Sequence, residues 1–316
     1  MKQLVQKKKK LWRYNLKNLV KKGAKPTRVI TGFIIAAISI AAIVLGSLPL
    51  YILLLIIITL CCREFVQILK HKGFYPSLHI ILFSSVIFAT LTFFHRFDLV
   101  PSMLSLAIVA SFLVVLFMGR QPYIVNVATT ILGSLYCGWL PCHILLIRQI
   151  GLTRVGAFQF SPSQGLWLLL FVFLAVALTD IGAYYFGVKF GKRKLAEVIS
   201  PKKTVEGAIG GALCAIIISC FGVFYTQMSL CQAIIGGLII TLSAQLGDLS
   251  ESLIKRDAGV KDSSDILPGH GGMLDRFDGY LFAIPVAYYY FMHFTQGTNV
   301  FIEFLKYFDG AINVYF

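Results

Sequence analysis

Long stretches without a charged side chain alternate with short charged segments along this sequence. Residues 29–62 are 34 consecutive positions without Lys, Arg, Asp or Glu. As one α-helix this run would be about 51 Å long, whereas the apolar core of a bilayer is about 30 Å thick. The run therefore has to reverse, and Gly46, Ser47 and Pro49 supply the residues of a turn. The pattern predicts two short helices, at residues 29–45 and 50–62, followed by a polar segment at residues 63–77.

The same pattern continues to residue 294. Residues 207–247 form a second long uncharged run, about 62 Å as one helix, with a turn expected at residues 227–229. Single apolar runs of membrane-spanning length occupy residues 78–94, 99–118, 123–140, 166–184 and 279–294. The pattern predicts an all-α polytopic integral membrane protein with about nine transmembrane helices. Residues 142–162 are expected to connect the fifth crossing to the sixth.

Composition supports this class. Hydrophobic residues make up 57% of the 316 residues and charged residues only 14%, whereas soluble domains average about 25% charged residues. An ordinary water-soluble globular domain is therefore excluded.

The positive charge is concentrated at the N-terminus. The formal net charge is +15, and residues 1–28 contain 11 Lys and Arg and no acid. A nucleic-acid-binding arm is one interpretation, but an apolar run begins directly behind the segment. Juxtamembrane lysines are attracted to anionic lipid headgroups by about 1 kcal/mol each, which favours a membrane-surface role without nucleic acid. We interpret residues 1–28 as a basic cytoplasmic tail, 29–160 as N-terminal transmembrane helices, 161–294 as a C-terminal catalytic transmembrane region and 295–316 as a short tail.

Two polar segments, residues 188–206 and 248–278, interrupt the apolar pattern in the C-terminal region. Two crossings separate them, so they return to the same membrane face in either orientation. With the basic tail inside, that face is cytoplasmic. The segments on this side then hold most of the remaining Lys and Arg, as the positive-inside tendency requires. The two segments can therefore form one site at the cytoplasmic face.

The second polar segment contains seven of the chain's 14 acids. Asp248, Ser252 and Lys255 are spaced to lie on one face of a helix, and Asp275 and Asp278 are spaced likewise at the start of the last helix. Carboxylates that converge at a membrane edge repel one another unless a cation lies between them. Oxygen ligands without a Cys or His cluster suit Mg²⁺, which typically takes one or two carboxylates plus substrate phosphates.

A glycine-rich turn lies between these two groups of acids. Its backbone N–H groups are able to point at an anion just before a helix N-terminus, although a plain glycine turn is the alternative. Basic side chains on both sides favour phosphate binding, and a structural hydrogen-bonding role is the alternative for the histidine. The turn is Pro268, Gly269, His270, Gly271 and Gly272, and the basic residues are Lys255, Arg256, Lys261 and Arg276.

The first polar segment carries lysines behind a helix-start pattern. Ser200 suits an N-cap and Pro201 the first helical position, which predicts a helix beginning before Lys202 and Lys203. Ordinary lysines of a cytoplasmic loop are the alternative interpretation. Asp180 is an acid inside an otherwise apolar helix, which makes it a candidate functional residue.

The order of these residues resembles that of the phosphatidate cytidylyltransferases, also called CDP-diacylglycerol synthases. The match lies in the C-terminal region, and the N-terminal half matches only in hydrophobic outline. Val205 departs from the aromatic residue expected there. The residues that carry the resemblance are Asp180, Gly182, Tyr184, Gly187, Gly191, Ser200, Pro201, Lys202, Lys203, Thr204, Glu206, Gly207, Ser252, Lys255, Arg256, Lys261, Asp262, Pro268, His270, Gly271, Gly272, Asp275, Arg276 and Asp278.

The resemblance implies the reaction of CTP with phosphatidate to give CDP-diacylglycerol and pyrophosphate. It also implies dependence on Mg²⁺. A second, monovalent cation such as K⁺ is left open. A homodimer is also left open. The expected location is a bacterial inner membrane, with the active site facing the cytoplasm.

On this basis we assign roles to the residues of both segments. Asp248, Asp275 and Asp278 are the expected metal ligands, and these three together with Lys255 are the expected catalytic residues. The expected substrate-binding residues are Ser200, Lys202, Lys203, Ser252, Arg256, Lys261, Gly269, His270, Gly271, Gly272 and Arg276.

Two alternative functions remain open from the sequence. A CTP-dependent lipid-alcohol kinase resembles the same superfamily and would transfer the γ-phosphate instead. A secondary transporter for an anionic solute belongs to another class. Transporter sites tend to lie near the bilayer midplane on broken helices, whereas the acids here cluster at helix ends.

Overall fold

The computed structural model of the chain describes residues 26–151, 163–267 and 271–295. These residues form ten α-helices, a short 3₁₀ turn at Phe97–Leu99 and one two-stranded sheet. A π-helical segment, Ser134–Trp139, joins the helices Tyr123–Gly133 and Leu140–Gln149, so that Tyr123–Gln149 is one continuous helical run. The helices are α1 (Pro26–Leu45), α2 (Ser47–His71), α3 (Leu78–Phe93), α4 (Val100–Met118), α5 (Tyr123–Gly133), α6 (Leu140–Gln149), α7 (Gln164–Phe190), α8 (Val205–Thr226), α9 (Leu230–Asp257) and α10 (Leu274–Thr295).

Helices occupy every position at which the sequence predicts a crossing. Among the described residues, six helical segments are long and apolar enough to span a membrane: Ser47–His71, Phe97–Phe117, Tyr123–Gln149, Gln164–Phe190, Val205–Thr226 and Leu230–Asp257. Thr31–Leu45 and Leu78–Phe93 are shorter apolar helices, and α10 contains the predicted ninth span. The helical membrane architecture is confirmed, and the number of nine crossings stays a prediction.

The reversal predicted at residues 227–229 is also confirmed. Helix α8 ends at Thr226 and α9 begins at Leu230. Ser229 caps α9 by accepting a hydrogen bond from Gln232 N, and the Gln232 side chain accepts one from Ser229 N in return. This reciprocal cap satisfies two N–H groups that the helix itself leaves without partners.

Helix α2 is longer than predicted. The sequence interpretation ended it at residue 62, directly before the first charge at Arg63, and treated residues 63–77 as a polar segment. The helix instead continues to His71, because Glu64, Phe65 and Ile68 lie on its buried face while Arg63 is exposed. The polar segment was therefore predicted wrongly over its first nine residues.

Helix α6 also extends into a predicted connection. Residues 142–162 were expected to link two crossings, but α6 runs to Gln149 and its last turns are buried. Arg148 is only 2% exposed, and its guanidinium donates to the Ile43 carbonyl (3.1 Å) and the Ser163 hydroxyl (2.7 Å). These bonds join the end of α1, the end of α6 and the start of α7. Residues 152–162 of the predicted connection lie outside the described residues.

The predicted helix start at Ser200 is wrong. Residues Lys194–Ala196 (β1) and Ser200–Thr204 (β2) pair as an antiparallel hairpin, with Lys194 opposite Thr204. Helix α8 begins only at Val205, after Thr204, whose side chain accepts from Gly207 N (3.1 Å). The described residues are thus predominantly helical, consistent with the predicted all-α class, and carry one small two-stranded sheet.

The Glu206 carboxylate closes the base of the hairpin. It accepts hydrogen bonds from Lys192 N (2.9 Å) and Arg193 N (3.1 Å). This contact fixes the entry of β1 against the first turn of α8. The N-cap of α8 is therefore Thr204, four residues beyond the predicted position. Pro201 instead lies in β2, and a proline is tolerated there because each strand of a two-stranded sheet is an edge strand.

Close packing of α7 against α8 and α9 positions the hairpin. A Cβ added at Gly182 would lie 2.9 Å from the Gly210 carbonyl oxygen, so only glycine permits this approach of α7 to α8. The Thr179 and Thr241 hydroxyls, 2.9 Å apart, join α7 to α9.

Residues 1–25 and 296–316, which include nearly all of the two predicted tails, lie outside the described residues. The division of the chain into regions stays a prediction.

Candidate active site

The two polar segments meet at one end of the helices, as the sequence predicts. Lys203 on β2 forms an ion pair with Asp248 on α9. Arg256, two turns further along α9, donates to the Ile199 carbonyl in the hairpin (3.2 Å). Helix α10 begins beside them, because Lys255 Nζ donates to Asp275 Oδ1 (2.5 Å). The hairpin, the end of α9 and the start of α10 therefore form one charged site.

A cavity of about 810 Å³ opens between these elements and the last turns of α7. Seven of the predicted site residues line it: Lys202, Lys203, Asp248, Lys255, Asp275, Arg276 and Asp278. Asp180 lines it as well, from α7. Lys194 and Asp262 also contribute to the lining, so five basic and five acidic side chains face one space at the end of the helices.

Other predicted site residues lie beside this cavity. Ser252 donates to Asp248 Oδ1 (3.4 Å) and so supports a cavity residue. Ser200 lies in β2 opposite Ala196, and Arg256 bonds the Ile199 and Val260 carbonyls. These three residues support the site from outside the cavity lining.

The loop after α9 accounts for the remaining predictions. Lys261 lines a separate surface cleft of about 680 Å³, together with Lys70 and His71. Gly271 has a φ of 81°, in the region that favours glycine. Gly272 N donates to Asp275 Oδ2 (2.9 Å), so this amide holds a carboxylate of the protein itself. Gly269 and His270 lie outside the described residues.

Lys255 is the buried basic centre of the site. It is 7% exposed and forms ion pairs with Glu251, one turn earlier on α9, and with Asp275. The Glu251 side chain is only 1% exposed to solvent. One buried cation between two ionised carboxylates leaves excess negative charge at this point of the site. The sequence interpretation counted Glu251 among the acids but assigned it no role.

Asp275 is held by the loop that precedes it. Its Oδ2 atom accepts from Ser263 N, Ser263 Oγ and Gly272 N, each at 2.9 Å. Asp275 precedes the predicted ninth span. Burial on its own raises the pKa of the Asp275 carboxyl, but the hydrogen bonds from Lys255, Gly272 and Ser263 outweigh it and hold the pKa below its ordinary value. This carboxyl is therefore ionised at neutral pH.

Glu64 is a site-supporting residue that sequence reasoning missed. It lies on α2, is fully buried, and its carboxylate accepts hydrogen bonds from the loop and from the start of α10. A signal was present in the sequence, because Cys61, Glu64 and Ile68 share one helical face and the other two are apolar. An acid on the apolar face of a helix requires a buried partner.

The donor set of the cavity fits a hard divalent cation that is shared with a substrate. Asp180, Asp248 and Asp278 supply carboxylate oxygens to the cavity. Among the described residues, no group of three or more His, Cys, Asp or Glu is arranged to hold a metal ion. Mg²⁺ needs only one or two carboxylates when phosphate oxygens complete its shell. The residues therefore fit Mg²⁺ bound together with a phosphorylated substrate.

The fold and this site define a multi-pass membrane protein with a mixed-charge pocket at one end of its helices. A sequence model of the cytidylyltransferase family matches residues 26–294. The chain belongs to this family, which confirms the resemblance found in the two polar segments.

Curated relatives agree with the family assignment. The chain is 32% identical over 284 residues to a protein named phosphatidate cytidylyltransferase from Synechocystis sp., a match that covers 83% of this chain and 95% of that protein. It is 46% identical over 145 residues to proteins of the same name from Staphylococcus aureus and Staphylococcus saprophyticus. Those two matches cover 45% of this chain and 55% of each staphylococcal protein.

Proposed function

We propose that this protein transfers the cytidylyl group of CTP to phosphatidate, which forms CDP-diacylglycerol and pyrophosphate in phospholipid biosynthesis. Its family and its similarity to proteins named phosphatidate cytidylyltransferase support this assignment. The observation that carries it is the cavity of about 810 Å³ in which the two polar segments meet. Its cations suit two phosphorylated substrates, and it lies at the end of apolar helices, where a lipid phosphate is accessible.

The reaction needs charge neutralisation more than proton transfer. A phosphate oxygen of phosphatidate attacks the α-phosphorus of CTP, the bond from that phosphorus to the β-bridging oxygen breaks, and pyrophosphate leaves. The nucleophile is already anionic, so a general base is not required. Bringing two anions together is the main barrier, and fixed cations lower it by positioning both and by stabilising developing charge.

We assign the neutralisation to the basic residues of the cavity wall. Lys202 and Lys203, on β2 with Ser200, form the nucleotide side. Lys255 and Arg276 lie on the opposite elements and neutralise the triphosphate and the lipid phosphate. Arg256 and Lys261 have the same charge but lie outside the cavity lining, and we infer that they attract the substrates from the surface.

We also propose a Mg²⁺ ion in this cavity. Asp248, Asp278 and Asp275 would be its ligands, and Asp275 would then exchange its bond to Lys255 for the ion, since its other oxygen already accepts three hydrogen bonds. When bound, the ion supplies positive charge to the triphosphate oxygens. A second, monovalent cation such as K⁺ is compatible with the remaining acids of the site, among them Asp180 and Glu251.

For the cellular setting we propose the inner membrane of a bacterium, with the site facing the cytoplasm, where CTP is made. The bacterial relatives support a bacterial membrane, and the number of Lys and Arg residues in the site-side segments supports the cytoplasmic orientation, because that tendency counts Lys and Arg rather than net charge. The basic residues 1–28 would bind anionic lipid headgroups on the same side. A homodimer is a further proposal.

Label transfer tests the proposed function against its alternatives. Purified protein in nanodiscs that contain both phosphatidate and a lipid alcohol is given CTP labelled with ³²P at the α or the γ position, with Mg²⁺ and with EDTA. The proposal predicts that the α label enters the lipid, the γ label appears in pyrophosphate, and EDTA stops both. Entry of the γ label into a lipid alcohol would instead establish a kinase. Uptake of an anionic solute by proteoliposomes without CTP consumption would establish a transporter.

A further inference from the structure

Glu64 connects the N-terminal helices to the loop that carries the site. Its carboxylate is fully buried and accepts four hydrogen bonds. Oε1 accepts from Ser264 Oγ (2.6 Å) and Met273 N (2.9 Å). Oε2 accepts from Leu274 N (2.7 Å) and Ser263 Oγ (3.0 Å). One side chain of α2 thus joins both ends of the loop between α9 and α10.

Two of these bonds cap a helix from outside its own chain segment. Leu274 is the first residue of α10 and Met273 precedes it, so their N–H groups lack partners within the helix. A carboxylate at this position also interacts favourably with the helix dipole. Glu64 therefore fixes the start of α10, where Asp275, Arg276 and Asp278 enter the cavity.

The remaining two bonds lead directly to Asp275. Ser263 Oγ lies 3.0 Å from Glu64 Oε2 and 2.9 Å from Asp275 Oδ2, and Ser263 N also donates to Asp275. A hydroxyl has one proton, so this group is shared between the two carboxylates. Asp275 in turn holds Lys255. A continuous chain of contacts runs from Glu64 through Ser263 and Asp275 to Lys255.

The local sequence leaves space for this arrangement only because position 272 is glycine. A Cβ added at Gly272 would overlap Ser263 Oγ and approach the Glu64 carboxylate closely. The absence of a side chain lets the Gly272 amide reach Asp275 while Glu64 reaches the loop. Two separate features, a buried acid on α2 and a glycine 208 positions later, thus serve the same contact.

We propose that Glu64 is a positioning residue for the transfer reaction, which holds Asp275 and Lys255 in register with the cavity by anchoring Ser263 and the start of α10. The inference rests on the proposed function for its kinetic consequence. Glu64 itself lies outside the cavity lining and contacts no reacting group. Its effect is expected in the turnover of folded protein, because small displacements of charged groups cost rate steeply.

Glu64→Gln is the matched substitution. It keeps the shape of the side chain, but each carboxylate oxygen faces a backbone N–H, so the amide nitrogen must face the N–H of either Met273 or Leu274. We expect kcat per folded protein to fall by at least about tenfold. Ile58→Ala, at a fully buried position of the same helix, is the control, and should lower the thermal midpoint while kcat stays within about twofold.

A double-mutant comparison separates positioning from general destabilisation. If Glu64 acts through Ser263, the variant with both Glu64→Gln and Ser263→Ala should be hardly slower than Glu64→Gln alone, because neighbours in one network do not act independently. If the two substitutions instead lower kcat by factors that multiply in the double variant, the proposed route through Ser263 is contradicted. Near-normal kcat in Glu64→Gln would overturn the proposal outright.

Amide hydrogen exchange provides a readout that does not need activity. In wild type the Met273 and Leu274 amides should exchange slowly, and Glu64→Gln should accelerate their exchange by about tenfold or more, while Ile58→Ala leaves it nearly unchanged. A wild type without label transfer would end the proposed function but leave this comparison intact. Equal exchange in wild type and Glu64→Gln would reject the positioning role, whatever the activity.

Discussion

Two buried basic side chains lie near opposite ends of α7 and have different surroundings. Arg148 is 2% exposed and bonds the Ile43 carbonyl and the Ser163 hydroxyl at the start of α7. Lys255 is 7% exposed, forms ion pairs with Glu251 and Asp275, and lines the cavity beside the last turns of the same helix. Arg148 joins helix ends, whereas Lys255 presents charge to the cavity that we propose as the substrate site. Burial of a charge therefore indicates function only together with a cavity.

The largest effect is expected from the carboxylates of the cavity. Asp248→Asn removes a proposed Mg²⁺ ligand and the partner of Lys203, and activity should fall by about a thousandfold or more, in the range seen when a key electrostatic group is removed. Transfer of the α label into phosphatidate measures this, and membrane insertion should be unchanged. Near-normal turnover would refute the metal assignment of Asp248.

Lys255→Met should have the next largest effect. It removes a cation from the cavity and leaves Glu251 and Asp275 buried without their common partner, so activity should fall by about a hundredfold and stability should fall as well. Adding Glu251→Gln separates the two effects. The double variant should regain thermal stability but not activity, and recovery of activity would show that Lys255 acts only as a counter-ion.

Arg148→Met tests the other side of the comparison. It leaves the Ile43 carbonyl and the Ser163 hydroxyl without this donor, at a cost of about 2–4 kcal/mol of stability. The thermal midpoint in detergent should fall clearly, whereas kcat per folded protein should stay within about twofold, because the substitution lies far from the cavity. A selective loss of kcat at unchanged stability would erase the distinction between the two cations.

The smallest effect is expected at an exposed ion pair. Arg96 and Asp98 lie 3.0 Å apart with more than half of each side chain exposed. Exposed pairs contribute little to stability, so Asp98→Asn should change neither the thermal midpoint nor label transfer measurably. It is also the matched Asp-to-Asn control for Asp248→Asn. A large loss of activity here would show that such substitutions act nonspecifically.

The helices and the meeting of the two polar segments were predictable because both follow from chain-local rules. Apolar length gives crossings, and an even number of crossings returns two segments to one face. The spacing of Asp248, Ser252 and Lys255 places them on one face of a helix, and all three lie at or beside the cavity. These inferences required no knowledge of partners distant in the sequence.

The parts that failed depend on contacts between distant residues. The hairpin at Ser200 depends on Glu206 closing its base, and the local Ser-Pro pattern alone suggested a helix. Arg63 and Glu64 looked like the end of a span, because a count of charges does not register that a loop more than 190 residues later supplies donors to Glu64. Tertiary hydrogen bonding overrides local propensity in both cases.

The most direct test of the central claim is label transfer from [α-³²P]CTP to phosphatidate by purified wild type and by Asp248→Asn, each with and without Mg²⁺. The account predicts labelled CDP-diacylglycerol only from wild type in the presence of Mg²⁺, and almost none under the other three conditions. Equal transfer by wild type and Asp248→Asn, or transfer by wild type that is indifferent to Mg²⁺, would contradict it.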